Sequence, residues 1–153
     1  MKSRVPPPNS DYIEFLSPFE PRVRDLALAT RKLVLEEAPG ATELIYEAYN
    51  ALATGYSFTG RPSDSFIHIA VYARWVNLGF NFGSTLDDPA GVLQGAGRWI
   101  RHIRISAAGD LKNPEIRAFV RSAVARAERP ESVIRGSGKS VVRAVFRKRR
   151  RPM

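Results

Sequence analysis

The chain contains no cysteine, and that absence removes disulfides, thiolate metal ligands and thiol nucleophiles together. Histidine is nearly absent too. His68 and His102 stand alone, and their spacing excludes the paired histidines of a helical metal motif. No Gly-x-Ser-x-Gly elbow is present to arm a serine. No apolar run approaches the ~18 residues of a membrane-spanning helix. The opening MKSRVPPPNS has no apolar stretch behind its basic residues, so a secretory signal is not expected. Together these absences lead to the expectation of a cytoplasmic protein.

What is present fits one domain. The chain has 153 residues, 44% of them hydrophobic and 25% charged, enough for one core and too few for two ordinary domains. The formal charge of +9 is unevenly placed. Residues 139–153 hold seven Lys/Arg and no acid, which leaves 17 basic and 15 acidic residues for the rest. The basic character therefore belongs to the C-terminal end, which reads as a solubilising tail or a contact for nucleic acid or anionic lipid. Val141, Val142, Val145 and Phe146 would give that tail a short amphipathic helix.

Periodicity sets the expected elements. SDYIEFL (10–16) suits a short helical turn. Ser17, Pro18 and Glu20 suit the start of a second helix, with Val23, Leu26, Ala27, Thr30, Leu33 and Val34 on its apolar face. APG at 38–40 ends it. ELIYEAYN, LATGYSFTG, SFIHIAVYA, WVNLGFNFG and RWIRHIRIS have strand character. KNPEIRAFVRSAVARA reads as a helix capped by Asn113, with Ile116, Phe119, Val120, Ala123, Val124 and Ala127 turned inward. Helix, about five strands, then helix predicts an α+β fold, with the helices covering one face of an antiparallel sheet.

Two segments look like phosphate loops. GSGKS at 136–140 lacks the first glycine of a P-loop, because Val133 stands there, and a helix rather than a strand precedes it, so it reads as a linker. GAGR at 95–98 precedes a strand, so no helix dipole points into it. It reads as a glycine-permitted turn or as an anion loop with Arg98. In the strand that follows, alternation puts Trp99, Arg101, Ile103 and Ile105 on one face, which reads as the core side with Arg101 an intruder. Arg98, Ile100, His102, Arg104 and Ser106 take the other. That second face reads either as a solvated surface balanced by neighbouring acids or as a site for an anionic or carboxylate-bearing ligand. His68, His102 and Asp87 or Asp88 could in principle share a metal.

The stretch WVNLGFNFGSTLDDPAGVLQGAGRWIRHIRI (75–105) resembles the YdhG-like family of bacterial domains. The matching elements are Val76–Phe80, Gly83, Leu86 with Asp88 and Pro89, Leu93 with Gly95 and Gly97, and Arg101–His102–Ile103. Arg98 and Arg104 stand where the family favours lysine, and Gln94 where an acid is frequent. The resemblance covers residues 10–128, leaving 1–9 as an extended lead-in and 129–153 as a Gly/Ser hinge and basic tail. It implies a curved antiparallel sheet, frataxin-like in shape, and for one line of the family an intracellular iron chaperone role. For iron, the dense acidic residues are Glu36, Glu37, Glu43 and Glu47. The expected ligand face is Asn77, Asp88, Arg98, Arg101, His102 and Arg104, with Asn77 and Asp88 fixing the loop and the Arg/His set holding an anionic small molecule. No catalytic residue is expected and, iron apart, no cofactor; the oligomeric state is not set by the sequence.

Overall fold

The computed structural model describes residues 5–47, 51–130 and 139–145. Helix α1 is Ser10–Leu16, and Asn9 caps it by accepting the Asp11 N–H at 2.8 Å. It buries Tyr12, Phe15 and Leu16. Helix α2 is Pro21–Glu37, three residues later than the Ser17–Pro18 start predicted above. The reason lies in Pro21. A helix begun at Pro18 would place Pro21 fourth, where the first intrahelical N–H is needed and a proline has none. Starting at Pro21 puts the missing donor where none is required, and the Ser17 N–H instead bonds Glu14 at the end of α1. The apolar face of α2 is the expected one: Val23, Leu26, Ala27, Thr30, Leu33 and Val34 are all buried. Gly40, at φ +84°, carries the chain out of α2 through a conformation that favours glycine.

The sheet follows. Strands β1 (Thr42–Glu47), β2 (Leu52–Ser57), β3 (Ile67–Val71), β4 (Val76–Phe80) and β5 (Arg101–Ile105) form an antiparallel meander. Helix α3 is Pro114–Ala125, capped by Asn113 as expected. A sixth strand, β6 (Ser140–Val145), lies parallel to β1, and the spatial order is β5-β4-β3-β2-β1-β6. The protein is thus α+β with a six-stranded mixed sheet that is not closed. The sixth strand differs from the helix expected at 141–146. Valine at 141, 142 and 145 favours extended backbone, and the open edge of β1 offers hydrogen bonds that an isolated short helix could not replace. Phe146 and the basic run that follows lie outside the described residues, as does most of the Gly/Ser segment. No helix among the described residues is long and apolar enough to cross a membrane.

Alternation along the strands separates two sheet faces. Ile67, Ile69 and Val71, aligned with Phe80, Leu78 and Val76, are fully buried against the helices. Glu43 and Glu47 share that face, in register with Tyr56 and Leu52. Burying a carboxylate demands a partner, and Arg31 of α2 supplies it for Glu43: its Nε and Nη2 donate to the two carboxylate oxygens at 2.8 and 3.0 Å. The Tyr56 hydroxyl donates to the same carboxylate at 3.1 Å. Burial chiefly, and then the Glu43 charge, push the Tyr56 phenol well above its ordinary range. This network ties α2 to β1 and β2 inside the core.

Candidate functional site

The outer face, turned away from the helices, carries Thr42, Leu44 and Tyr46 of β1, Ala53, Gly55 and Ser57 of β2, and His68 and Ala70 of β3. Asn77 and Gly79 of β4, His102 and Arg104 of β5, and Val141 of β6, in register with Leu44, lie on it too. None of these is an acid. Both histidines fall in one row across it, because Gly55 pairs with His68, His68 with Gly79, and Gly79 with His102. The row ends on Gln94, whose backbone exchanges two hydrogen bonds with His102 at 2.8 and 2.9 Å.

Glycine at 79 makes the row possible. A Cβ there would stand 1.9 Å from His68 Nε2, so the imidazole lies over the bare backbone, aimed toward β5. Nδ1 of His68 sits 2.9 Å from Asn81 Oδ1. An oxygen acceptor selects the tautomer with the proton on Nδ1, which leaves a lone pair on Nε2. Burial holds His68 below its ordinary value of 6.5. The bond to Asn81 opposes that shift and the nearby His102 adds to it.

This depression has a defined consequence for stability. Between the ordinary value and the lower folded-state value, the unfolded chain takes up a proton that the folded chain refuses. The His68 contribution is therefore full above pH 6.5 and is lost as the pH falls through the folded-state value. Two-dimensional NMR of the two imidazoles should show His68 titrating below 6.5 in the native protein. A native His68 titrating at or above that value would contradict the buried, Asn81-bonded geometry.

The other expected ligand residues divide. Asn77 and Arg104 are paired across β4 and β5 on the outer face, beside the histidine row. The Arg104 guanidinium lies 4.0 Å from the Trp75 ring centre, Trp75 stacks on Tyr72, and the Trp75 indole N–H donates to Asn77 Oδ1 at 3.0 Å. Asn77 therefore orients Trp75, and through it Arg104, rather than the loop after β4. Asp88 does hold that loop. Its two oxygens accept from the Val92 and Leu93 N–H groups at 2.8 and 2.9 Å.

Arg101 and Arg98 stand apart from the histidines. Arg101 falls on the helix-side face at the sheet edge, and its Nη1 donates to the Gly97 and Ile100 carbonyls at 2.6 and 2.8 Å. It clamps the loop. Arg98 is on an exposed loop, 5.3 Å from the Trp99 ring. Trp99 itself is 46% exposed rather than on the core side, because β5 begins only at Arg101 and strand alternation does not extend back to it.

The four glutamates do not gather. Glu36 and Glu37, at the end of α2, meet Arg117 and Arg121 of α3. The hydrogen bond from Arg121, with Arg117 adding, keeps the Glu37 carboxyl below its usual range. Glu43 is held by Arg31, and Glu47 is buried on β1. Among the described residues no three His, Cys, Asp or Glu side chains are grouped to hold a metal ion.

Sequence reasoning did not include His68, Asn81, Gln94 or Trp75 in the ligand face. The only signal was the alternation that sets His68 and His102 each on one side of its strand, and strand register is needed to bring them into one row. The 20-residue connection between β4 and β5 was a further pointer, since connections of that length are uncommon and usually either functional or disordered. No family model, no curated protein and no solved structure matches the chain.

Proposed function

We propose that this protein is a small-ligand binding domain that takes an anionic group on the outer face of its sheet, at His102 and Arg104. Membership in the YdhG-like family belongs to the same reading and rests on the motif block at 75–105. The observation that carries the proposal is charge placement: the Arg104 guanidinium and the His102 imidazole share a face on which the described strand positions offer no carboxylate. Arg104 has a ring beneath it but no acid beside it among the described residues. A surface balanced by neighbouring acids, the other sequence reading, lacks those acids. Arg104 supplies a fork for a carboxylate or phosphate, and the His102 ring adds an N–H donor.

Inorganic phosphate and succinate serve as probes, with imidazole and backbone resonances followed by NMR at constant ionic strength. Saturating shifts at His102 and at the Arg104 backbone are expected, weakened about tenfold in Arg104→Gln, the loss of one charge-assisted contact of ~1.5 kcal/mol. Shifts that do not saturate, or that persist unchanged in Arg104→Gln, would overturn the proposal.

A further inference from the structure

On the other side of the molecule, between the end of α3 and the connections that flank β3 and β4, lies a cavity of about 310 Å3. Small-molecule sites begin at ~300 Å3. Its apolar walls are Phe66, Phe80, Phe82 and Leu86, and its mouth carries Arg126 and Glu128. It shares no residue with the histidine row.

Two features set it apart from a packing fault. Phe82 is 49% exposed although it lines the cavity, so apolar surface is left uncovered beside a volume a ligand could fill. Arg126 is also fixed in place. Its Nη1 donates to the Thr85 carbonyl and to Thr85 Oγ1, while Nε and Nη2 have no hydrogen-bond partner among the described residues. A guanidinium held by one nitrogen with its remaining N–H groups free is pre-organised for an oxyanion. Glu128, two residues on at the same mouth, has no ion-pair partner among the described residues. The other carboxylate at the cavity, Asp64, is already committed to Thr59 Oγ1 and Arg61 Nε at 2.7 and 2.8 Å.

From this geometry we infer a second binding site, for a zwitterionic ligand with an apolar or aromatic side chain: a free amino acid of the phenylalanine or leucine type. The side chain fills the space among Phe66, Phe80, Phe82 and Leu86. The carboxylate meets the free N–H groups of Arg126, and the ammonium meets Glu128. A simple carboxylic acid would satisfy Arg126 but would face Glu128, and a simple amine would do the reverse. The head group that answers both charges is the amino-acid one.

The test titrates the full chain with L-phenylalanine, 3-phenylpropionate and phenethylamine, followed by NMR shifts of Leu86 and Ala123. Phenylalanine should bind at least about tenfold more tightly than either fragment. Arg126→Gln should weaken phenylalanine and phenylpropionate but not phenethylamine, and Glu128→Gln should weaken phenylalanine and phenethylamine but not phenylpropionate. Ala127→Phe, which fills the cavity from its wall, should abolish all three while leaving the histidine resonances in place. Equal binding of phenylalanine and phenylpropionate would overturn the zwitterion assignment. Binding that survives Ala127→Phe, or no saturable binding of any probe to the native chain, would overturn the site.

Discussion

Arg31→Met should destabilise the protein by about 3–5 kcal/mol, as measured by urea unfolding, because it leaves the Glu43 carboxylate buried without its cation. The side chains of Arg31 and Glu43 are each only 5% exposed, so water cannot take over the role of the guanidinium. The cost would fall on the unpaired charge rather than on lost packing, since methionine retains much of the arginine stem's volume. The triple variant Arg31→Met/Glu43→Leu/Tyr56→Phe removes the whole polar set that Arg31, Glu43 and Tyr56 form. It should recover most of the loss, as replacement of buried ion pairs by apolar groups often does. A single variant within about 0.5 kcal/mol of the native protein would mean that the pair is not buried as described.

Gly79→Ala should cost about 1–3 kcal/mol, the range for overpacking. The added methyl would stand 1.9 Å from His68 Nε2 and 2.2 Å from Cε1, so the imidazole must leave its place and give up Asn81. A change in backbone preference is not involved, since Gly79 does not occupy the left-handed region. The cause can be isolated by a double-mutant cycle. In a His68→Ala background the same Gly79→Ala change should be nearly free, giving a coupling of about 1–2 kcal/mol, within the range for contacting residues. Displacing the ring also removes the burial that depresses it, so the His68 titration in Gly79→Ala should move up toward 6.5. An equal penalty in both backgrounds would show that something other than His68 fills the space above Gly79.

These two sites were unequally legible in the sequence. The apolar faces of α2 and α3 and the five strands of the meander follow from periodicity, because local spacing alone decides which side chains share a side of a helix or strand. Asn113 and Asp88 were legible for a similar reason: each bonds to backbone within five residues. His102 and Arg104 share a face by alternation within one strand, and the structure keeps them together. Arg98 and Trp99 were misplaced by extending that alternation past the start of the strand. Arg31 showed no sign of its role, since its partner is on another element and helical position alone does not reveal a buried cation.

By itself the sequence determined the α+β composition, the order of helices and strands, the concentration of basic charge at the C-terminal end and the exclusion of thiol chemistry. Each of these depends on residue identity or on spacing of a few positions. Tertiary structure decided what lies beside what. It set His68 and His102 in one row over Gly79, placed the acids on the helix-facing side, and turned residues 140–145 into a sixth strand rather than a helical tail. It also brought Arg126 to the mouth of an aromatic cavity. The physical reason is strand register: shifting one strand by a single residue would move every side chain on it to the opposite face. The GAGR turn is legible as glycine conformation, but the site beside it exists only through the pairing of β3, β4 and β5.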